Sequence, residues 1–166
     1  MAAKPDYEQA FEDHVWEVHG YLAYRLRSRV DAEDLTQATF ERAYKAWGRF
    51  DPRRASVRTW LLSIAHNLLV DHYRHRAIRP EYPLPEGVEL SGAEDQLSFG
   101  LDPALASALD LLGEREREIV ALRFGGDLTG PEIAELTDLT LANVQQILSR
   151  SLRKLRAALE AEPLEA

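Results

Sequence analysis

Between positions 128 and 159 two helical patterns stand three residues apart, and so short a joint forces the two helices to pack on each other. The first pattern covers residues 131 to 137, with Thr129 placed as an N-cap and Pro131 in the first turn. The second follows Thr140, another capping residue, and continues to about residue 160. Asp138 stands in the turn, where Asp tolerates positive φ better than most residues, though less well than Gly. Ile133, Ala134 and Leu136 would then face Leu139, Val144 and Leu148. The buried face of the long helix is expected to comprise Leu141, Val144, Leu148, Leu152, Leu155 and Leu159. Asn143, Gln146, Arg150 and Arg153 project the other way, flanked by Gln145 and Ser149, with Lys154 close by. This pattern predicts a helix-turn-helix whose second helix enters a DNA groove. Gln and Asn amides make paired hydrogen bonds to adenine in the major groove, and Arg150, Arg153 and Lys154 suit phosphates. A solvated helix face could carry the same arginines; the capped helix and tight turn before it favour DNA.

The rest of the chain also reads as helical. Phe11, Val15, Val18 and Leu22 recur at helical spacing in a helix over residues 6 to 27, with Trp16 beside them. A second helix is expected from Asp31, as N-cap, to near Gly48, burying Phe40, Ala43 and Trp47. A loop over residues 50 to 55 leads to Ser56 as the next cap. In the third helix Trp60/Leu61, Ile64/Ala65 and Leu68/Leu69 repeat every four residues, and the outer face carries His66, Asn67, Tyr73, Arg74 and Arg76. It should stop by Arg79, because Pro80 disfavours helix in the residue before it. Pro80, Pro83, Pro85, Gly87, Gly92 and Gly100 mark a linker, extended and mobile in isolation. Asp102-Pro103 opens a short helix to residue 112, and residues 114 to 124 form another that Gly125-Gly126 ends. No strand signal or internal repeat is present. The expected fold is all-α: two small helical domains, residues 1–79 and 102–166, held apart by an acidic linker over 80–101, the C-terminal one a helix-turn-helix.

Charge fits this division. The net charge of −8 argues against nucleic acid, yet residues 81 to 112 hold seven acids and no base, and residues 1 to 80 are positive by two. Local patches, not the total, decide phosphate contact. With 166 residues and two units, each would be only marginally stable alone, which suits a protein that works docked on a partner. The absence of cysteine excludes disulfides, thiolate-bound zinc and a cysteine nucleophile. No apolar run reaches the roughly 18 residues of a membrane span, and the N-terminus is polar and acidic, unlike a secretory signal. A cytoplasmic protein without membrane insertion is expected.

The third-helix block has a chemistry of its own. Arg53, Arg54 and Arg58 surround a proline-containing loop, and Trp60, His66 and Tyr73 interleave with Asn67, Arg74, His75 and Arg76. Rings beside bases suit unpaired nucleotides, although the register of Trp60 with Ile64 and Leu68 makes it a core residue first. Asp71, His72 and His75 do not make a metal site: catalytic zinc needs three convergent ligands, and six residues of helix turn His66 about 240° from His72. With no glycine-rich phosphate loop or nucleophile–base motif, neither a metal, a cofactor nor an enzyme is expected. The closer rival is a free-standing helix-turn-helix regulator, which would leave the blocks at residues 31 to 47 and 53 to 76 without a role.

These blocks carry a resemblance. Asp31-Ala-Glu-Asp-Leu-Thr-Gln-Ala-Thr-Phe, Ser56-Val-Arg-Thr-Trp-Leu, Ile64-Ala-His-Asn and Asp71-His-Tyr-Arg resemble the N-terminal conserved region of extracytoplasmic-function sigma factors. Glu116-Arg-Glu-Ile-Val-Ala-Leu-Arg-Phe, Pro131-Glu-Ile-Ala-Glu-Leu, Asn143-Val and Ser149-Arg-Ser-Leu-Arg-Lys-Leu-Arg resemble that family's C-terminal region. The resemblance implies that Asp31, Glu33, Asp34, Gln37, Phe40 and Glu41 hold the β′ clamp helices of core RNA polymerase. It implies a −10 site of Arg53, Arg54, Ser56, Arg58, His66, Asn67, Tyr73, Arg74 and Arg76, with the loop at residues 51 to 56 capturing a flipped base. It implies a −35 site of Thr129, Thr140, Asn143, Gln145, Gln146, Ser149, Arg150, Arg153 and Lys154, on a domain seated on the β flap. The acidic linker would thread the polymerase near the RNA exit path. Promoter DNA and core polymerase are the implied partners, and an anti-sigma factor is a further candidate. Three positions depart from the family pattern: Asp138 where glycine is usual, Gln145-Gln146 where a basic residue often follows Val144, and Thr129-Gly130-Pro131 at the helix start.

Overall fold

The computed structural model describes residues 3–78 and 101–161, and every regular element among them is helical. Helix α1 spans Tyr7–Arg25, α2 spans Arg29–Ala46, a 3-10 turn follows over Trp47–Arg49, and α3 spans Val57–Ile78. Beyond residue 100 come α4 (Pro103–Leu109), α5 (Glu114–Val120), a π turn (Ala121–Gly125), α6 (Gly130–Thr137) and α7 (Leu141–Ala161). The expected linker lies, except for Leu101, outside the described residues.

Capping side chains set most helix starts. The Asp6 carboxylate accepts from the Gln9 N–H at 2.8 Å, Ser56 Oγ from Thr59 at 3.1 Å, and Thr140 Oγ1 from Asn143 at 3.1 Å. Thr129 and Glu132 form a reciprocal capping box at the start of α6. For α2 the expectation is corrected. Ser28, not Asp31, is the cap: its Oγ accepts from the Asp31 N–H at 3.2 Å, so the helix starts at Arg29. Asp31 instead sits in the first turn, where its negative charge suits the macrodipole.

The two helical units are both present, but they are not held apart. One continuous core joins Val18, Tyr21 and Leu22 of α1 and Leu61, Leu62 and Leu69 of α3 to Ile119, Leu122, Leu128, Ile133 and Val144 of the C-terminal half. A smaller cluster of Ala108, Leu109, Leu112, Val120 and Leu155 seats α4 on α5 and α7. The helix expected over residues 114 to 124 is α-helical only to Val120. It then widens, with Gly126 N–H bonding Ala121 O at 2.9 Å across five residues. This π turn seats Gly125 against Gly20 of α1. A Cβ on either glycine would lie 2.6 Å from the other's carbonyl oxygen, so only glycine permits this backbone approach.

In the helix-turn-helix, Asp138 adopts the left-handed conformation at φ 58°, ψ 36° and gives its N–H to Ala134 O. The buried face of α7 is narrower than expected. Val144, Ser151 and Leu155 are buried with Ile147 and Leu148 partly covered, whereas Leu141, Leu152 and Leu159 are each at least 40% exposed. Positions 144, 148, 151 and 155 follow a spacing of alternating four and three, a single seam against α4, α5 and α6. The three exposed leucines lie along its flank.

Candidate nucleic-acid interface

On α7 the residues Asn143, Gln145, Gln146, Ser149, Arg150 and Arg153 are all exposed, on the side away from the Val144–Leu155 seam. The glutamines stand in the first two turns after the Thr140 cap, the part of a recognition helix that reaches base edges. The hydroxyls of Thr129 and Thr140 are engaged as caps. Lys154 is turned back: its Nζ donates to Glu116 Oε1 of α5 at 2.7 Å, and that bond holds the Glu116 carboxyl below its usual range. Its charge therefore braces α7 on α5. No ion pair is recorded for Arg150 or Arg153 among the described residues.

The second block is more constrained than its sequence suggests. In the loop at residues 51 to 56, Asp51 accepts from the Arg53 backbone N–H, Nε and Nη2 at 2.9, 3.1 and 3.2 Å. These bonds draw the Asp51 carboxyl below its ordinary range. Arg54 is exposed, and Ser56 is occupied as a cap. Trp60 packs with Phe50 and Trp47, ring centroids 4.8 and 5.8 Å away, an aromatic floor under the loop. Asn67 and Arg74 are exposed, while Arg76 approaches Asp31 at 3.9 Å. His66 and Tyr73 are both more than a third exposed, yet each is tied to a neighbour. Tyr73 donates its hydroxyl to Arg25 O at 2.9 Å. His66 Nδ1 lies 2.9 Å from Glu118 Oε1 and 3.2 Å from the Tyr21 hydroxyl. Arg58 reaches Glu17 Oε2 and Asp127 O, both at 3.0 Å.

The third surface is on α2. Glu33, Asp34, Gln37 and Glu41 are exposed, with Glu33 paired to Arg29 and Gln37 donating to Glu41 at 3.1 Å. Two expected members differ. Phe40 is 4% exposed and packs its ring on Phe11, so it supports this surface from beneath. Asp31 is turned toward His72 and Arg76, because one turn of α2 faces the end of α3. Beside Glu33, Gln37 and Glu41 runs a groove of about 650 Å³ between α1 and α2, which Phe11 and Tyr44 line with exposed rings. The sequence pattern puts Phe11 in a core stripe and leaves Tyr44 unmarked, so neither exposed ring is legible from spacing alone.

Two family models match the chain in this order: Sigma-70 region 2 over residues 10–78 and Sigma-70, region 4 over residues 108–157. The RNA polymerase sigma factor CarQ of Myxococcus xanthus is 32% identical over 165 residues, covering 98% of this chain and 94% of its own. The ECF RNA polymerase sigma factor BldN of Streptomyces coelicolor is 32% identical over 143 residues. This chain belongs to the extracytoplasmic-function sigma factors. BldN is longer: the match covers 83% of this sigma factor but 54% of BldN. CnrH of Cupriavidus metallidurans is 33% identical over 161 residues. Its structure in complex with the cytosolic domain of CnrY superposes at a TM-score of 0.66 with 27% identity, covering 94% of this chain and 88% of that one. Sigma factors bring core RNA polymerase to promoters, and the region 2 match accounts for the blocks that a free-standing regulator would leave without a role.

In this sigma factor Glu118 of region 4 gathers three region 2 side chains. Tyr21 donates to it at 2.7 Å, Arg25 Nε lies at 2.9 Å, and His66 completes the set. Burial, then the Glu118 charge, pushes the Tyr21 hydroxyl well above its usual range. The hydrogen bond to Glu118 raises His66, against the opposing effects of burial and Arg25. A raised histidine favours folding most below its ordinary value of about 6.5, and that contribution disappears as pH rises through the raised value. Relative to His66→Gln, the wild-type chain is therefore expected to lose more thermal stability on passing from mildly acidic to mildly alkaline buffer. Parallel pH profiles of the two would refute the assignment.

Proposed function

We propose that this chain binds core RNA polymerase through the exposed face of α2 and directs initiation by reading a −10 element with the 51–56 loop and α3 and a −35 element with α7. The observation that carries this is the presence, on one chain matching both sigma regions, of two chemically unlike exposed surfaces: an acid-lined helix beside an aromatic groove, and a glutamine- and arginine-bearing recognition helix. Glu33, Asp34, Gln37 and Glu41 contact the β′ clamp, with Phe11 and Tyr44 as apolar neighbours. Arg53, Arg54, Asn67 and Arg74 meet the opened strand, and Arg58, His66 and Tyr73 join them once freed from their present partners. The exposed flank of Leu152 and Leu159 supports docking of region 4 on a protein surface such as the β flap. The chain acts in the cytoplasm as a recognition subunit rather than a catalyst. Among the described residues no helix is long and apolar enough to cross a membrane. Because CnrH was solved with the cytosolic domain of CnrY, a protein antagonist of the anti-sigma kind is a fitting second partner.

Run-off transcription with core polymerase on a promoter library randomised at the −35 element tests the reading. Gln146→Ala is expected to relax preference at one or two positions, by about 1–3 kcal/mol for a lost bidentate pair. Arg150→Ala and Arg153→Ala are expected to weaken all promoters alike and each lower the salt slope by about one unit. No specific product with wild-type chain would overturn the function; unchanged preference in Gln146→Ala would overturn the assignment of α7.

A further inference from the structure

Pro5 disfavours helix in the residue before it, and Asp6 caps α1 immediately after, so residues 3–6 form a short irregular lead into α1. That lead reaches back to the end of α2. Lys4 Nζ donates to Trp47 O, in the 3-10 turn that follows α2. The same carbonyl accepts from the Phe50 N–H at 3.2 Å and closes that turn, so Lys4 shares the bond at which the 51–56 loop begins. A cation at a helix C-terminus also suits the macrodipole. The ammonium stands 5.2 Å from the centroid of the Trp47 ring and 5.9 Å from that of Phe50, within reach of a cation–π attraction. The first turn of α1 adds to this grip. The Tyr7 hydroxyl donates to Phe40 O at 2.8 Å, and its ring meets Trp47 edge-on at 5.8 Å. Trp47 in turn stacks on Phe50 at 5.3 Å, and these two rings with Trp60 are the floor of the loop. Lys4 therefore fastens the floor from outside.

The same lead meets the loop across a cavity of about 530 Å³, whose lining includes Ala3 and Pro5, His14 of α1, and Pro52, Ala55 and Ser56. Its size falls within the roughly 300–1,000 Å³ of small-molecule sites. The prolines and alanines offer apolar contact to a flat ring, and His14, whose Nδ1 lies 2.7 Å from Glu17 Oε2, supplies a polar edge. The region 2 match begins at residue 10, so the lead is a feature of this chain beyond the matched family region. We infer that Lys4 is a positioning residue for −10 recognition: through Trp47 and Phe50 it sets the loop, and Ala3 and Pro5 wall the pocket that receives an unpaired base. This rests on the reading of the 51–56 loop as the base-capturing part of the −10 site. Lys4 acts through the floor rather than on DNA, because its ammonium is engaged by a carbonyl and two rings. Its loss therefore weakens the hold on one base, whereas loss of a phosphate contact would weaken every probe alike.

The test uses the full chain bound to core polymerase and a forked promoter probe whose −10 segment is unpaired on the non-template strand. An abasic site is placed at each −10 position in turn. Wild-type holoenzyme is expected to lose at least about tenfold in affinity at the captured position, the scale of one stacked base. Lys4→Met keeps the length of the side chain and removes its charge. At that same position it is expected to lose only about threefold or less, with the other positions unchanged, the coupling that a double-mutant cycle reads. Lys4→Arg is expected to keep the wild-type profile, since a guanidinium also meets rings and a carbonyl. Lys4 is exposed, so Lys4→Met should match wild type in melting temperature and in affinity for core polymerase. The full abasic penalty in Lys4→Met, or a loss shared equally by all positions, would overturn the positioning role. A lowered melting temperature or core affinity would overturn it as well, because the lysine would then serve the fold at large. Failure of the −10 reading looks different: wild-type holoenzyme itself would show no position with a distinct abasic penalty, which removes base capture by the loop and the role of Lys4 with it.

Discussion

Reversing the charges of Asp34 and Glu41 together, as Asp34→Lys and Glu41→Lys, is expected to weaken binding to core RNA polymerase at least about 100-fold, close to 3 kcal/mol. The two lie seven residues apart on one exposed face of α2, and Glu41 lines the groove together with Phe11 and Tyr44. Neither is buried, and among the described residues the only side-chain hydrogen bond to Glu41 comes from its helical neighbour Gln37, so the fold should not register the change. Like-charge juxtaposition across an interface costs several kcal/mol. The measurement is equilibrium binding to purified core enzyme, with circular dichroism as control. Wild-type affinity in the double variant would remove α2 from the polymerase interface.

Leu122→Ala is expected to destabilise the whole chain by about 2–5 kcal/mol, the usual cost of a large-to-small change at a fully buried site. Leu122 is 0% exposed and belongs to the core that also contains Tyr21, Leu22 and Leu62. Against a typical total of about 5–15 kcal/mol, a loss of this size is large. Because the core is shared, urea unfolding should remain one transition that moves as a unit. Leu152→Ala, at a leucine 43% exposed, should cost well under half as much. Two separate transitions, with only one of them shifted by Leu122→Ala, would show that the halves fold independently and that the continuous core contributes little.

What was legible in the sequence was local. Caps at Ser56, Thr129 and Thr140 depend on residues three positions away, and each is formed as read. The left-handed Asp138 is likewise a property of one residue and its turn. At α2 the sequence pattern points to Asp31 as the cap, and Ser28, three residues earlier, holds that place instead. The spacing of leucines along α7 gave the right face but not its width, because how much of a stripe is covered depends on the neighbours. The candidate site was legible as a set of residue types and much less as an arrangement. Glutamines 145 and 146 emerged exposed, but Lys154, His66 and Arg58 are engaged by partners 38, 52 and 69 positions away. Only a glycine in the middle of an otherwise regular α1 hinted that something approaches there.

The π turn at Ala121–Gly125 sets the fit of region 4 on α1. A π turn is an α-helix holding one residue more than its regular count, wound wider to absorb it, so the chain leaves the turn at nearly the angle a plain helix would give. What the extra residue changes is girth: the widened turn brings the backbone of Gly125 against Gly20 of α1, where no methyl group fits. Deleting a single position between 121 and 125 would let α5 run on as plain α-helix, keep the helix, cap and chemistry of the α7 glutamines, and withdraw the backbone that meets Gly20. The seat of region 4 on α1 thus depends on one extra residue, far from any base the α7 glutamines would touch.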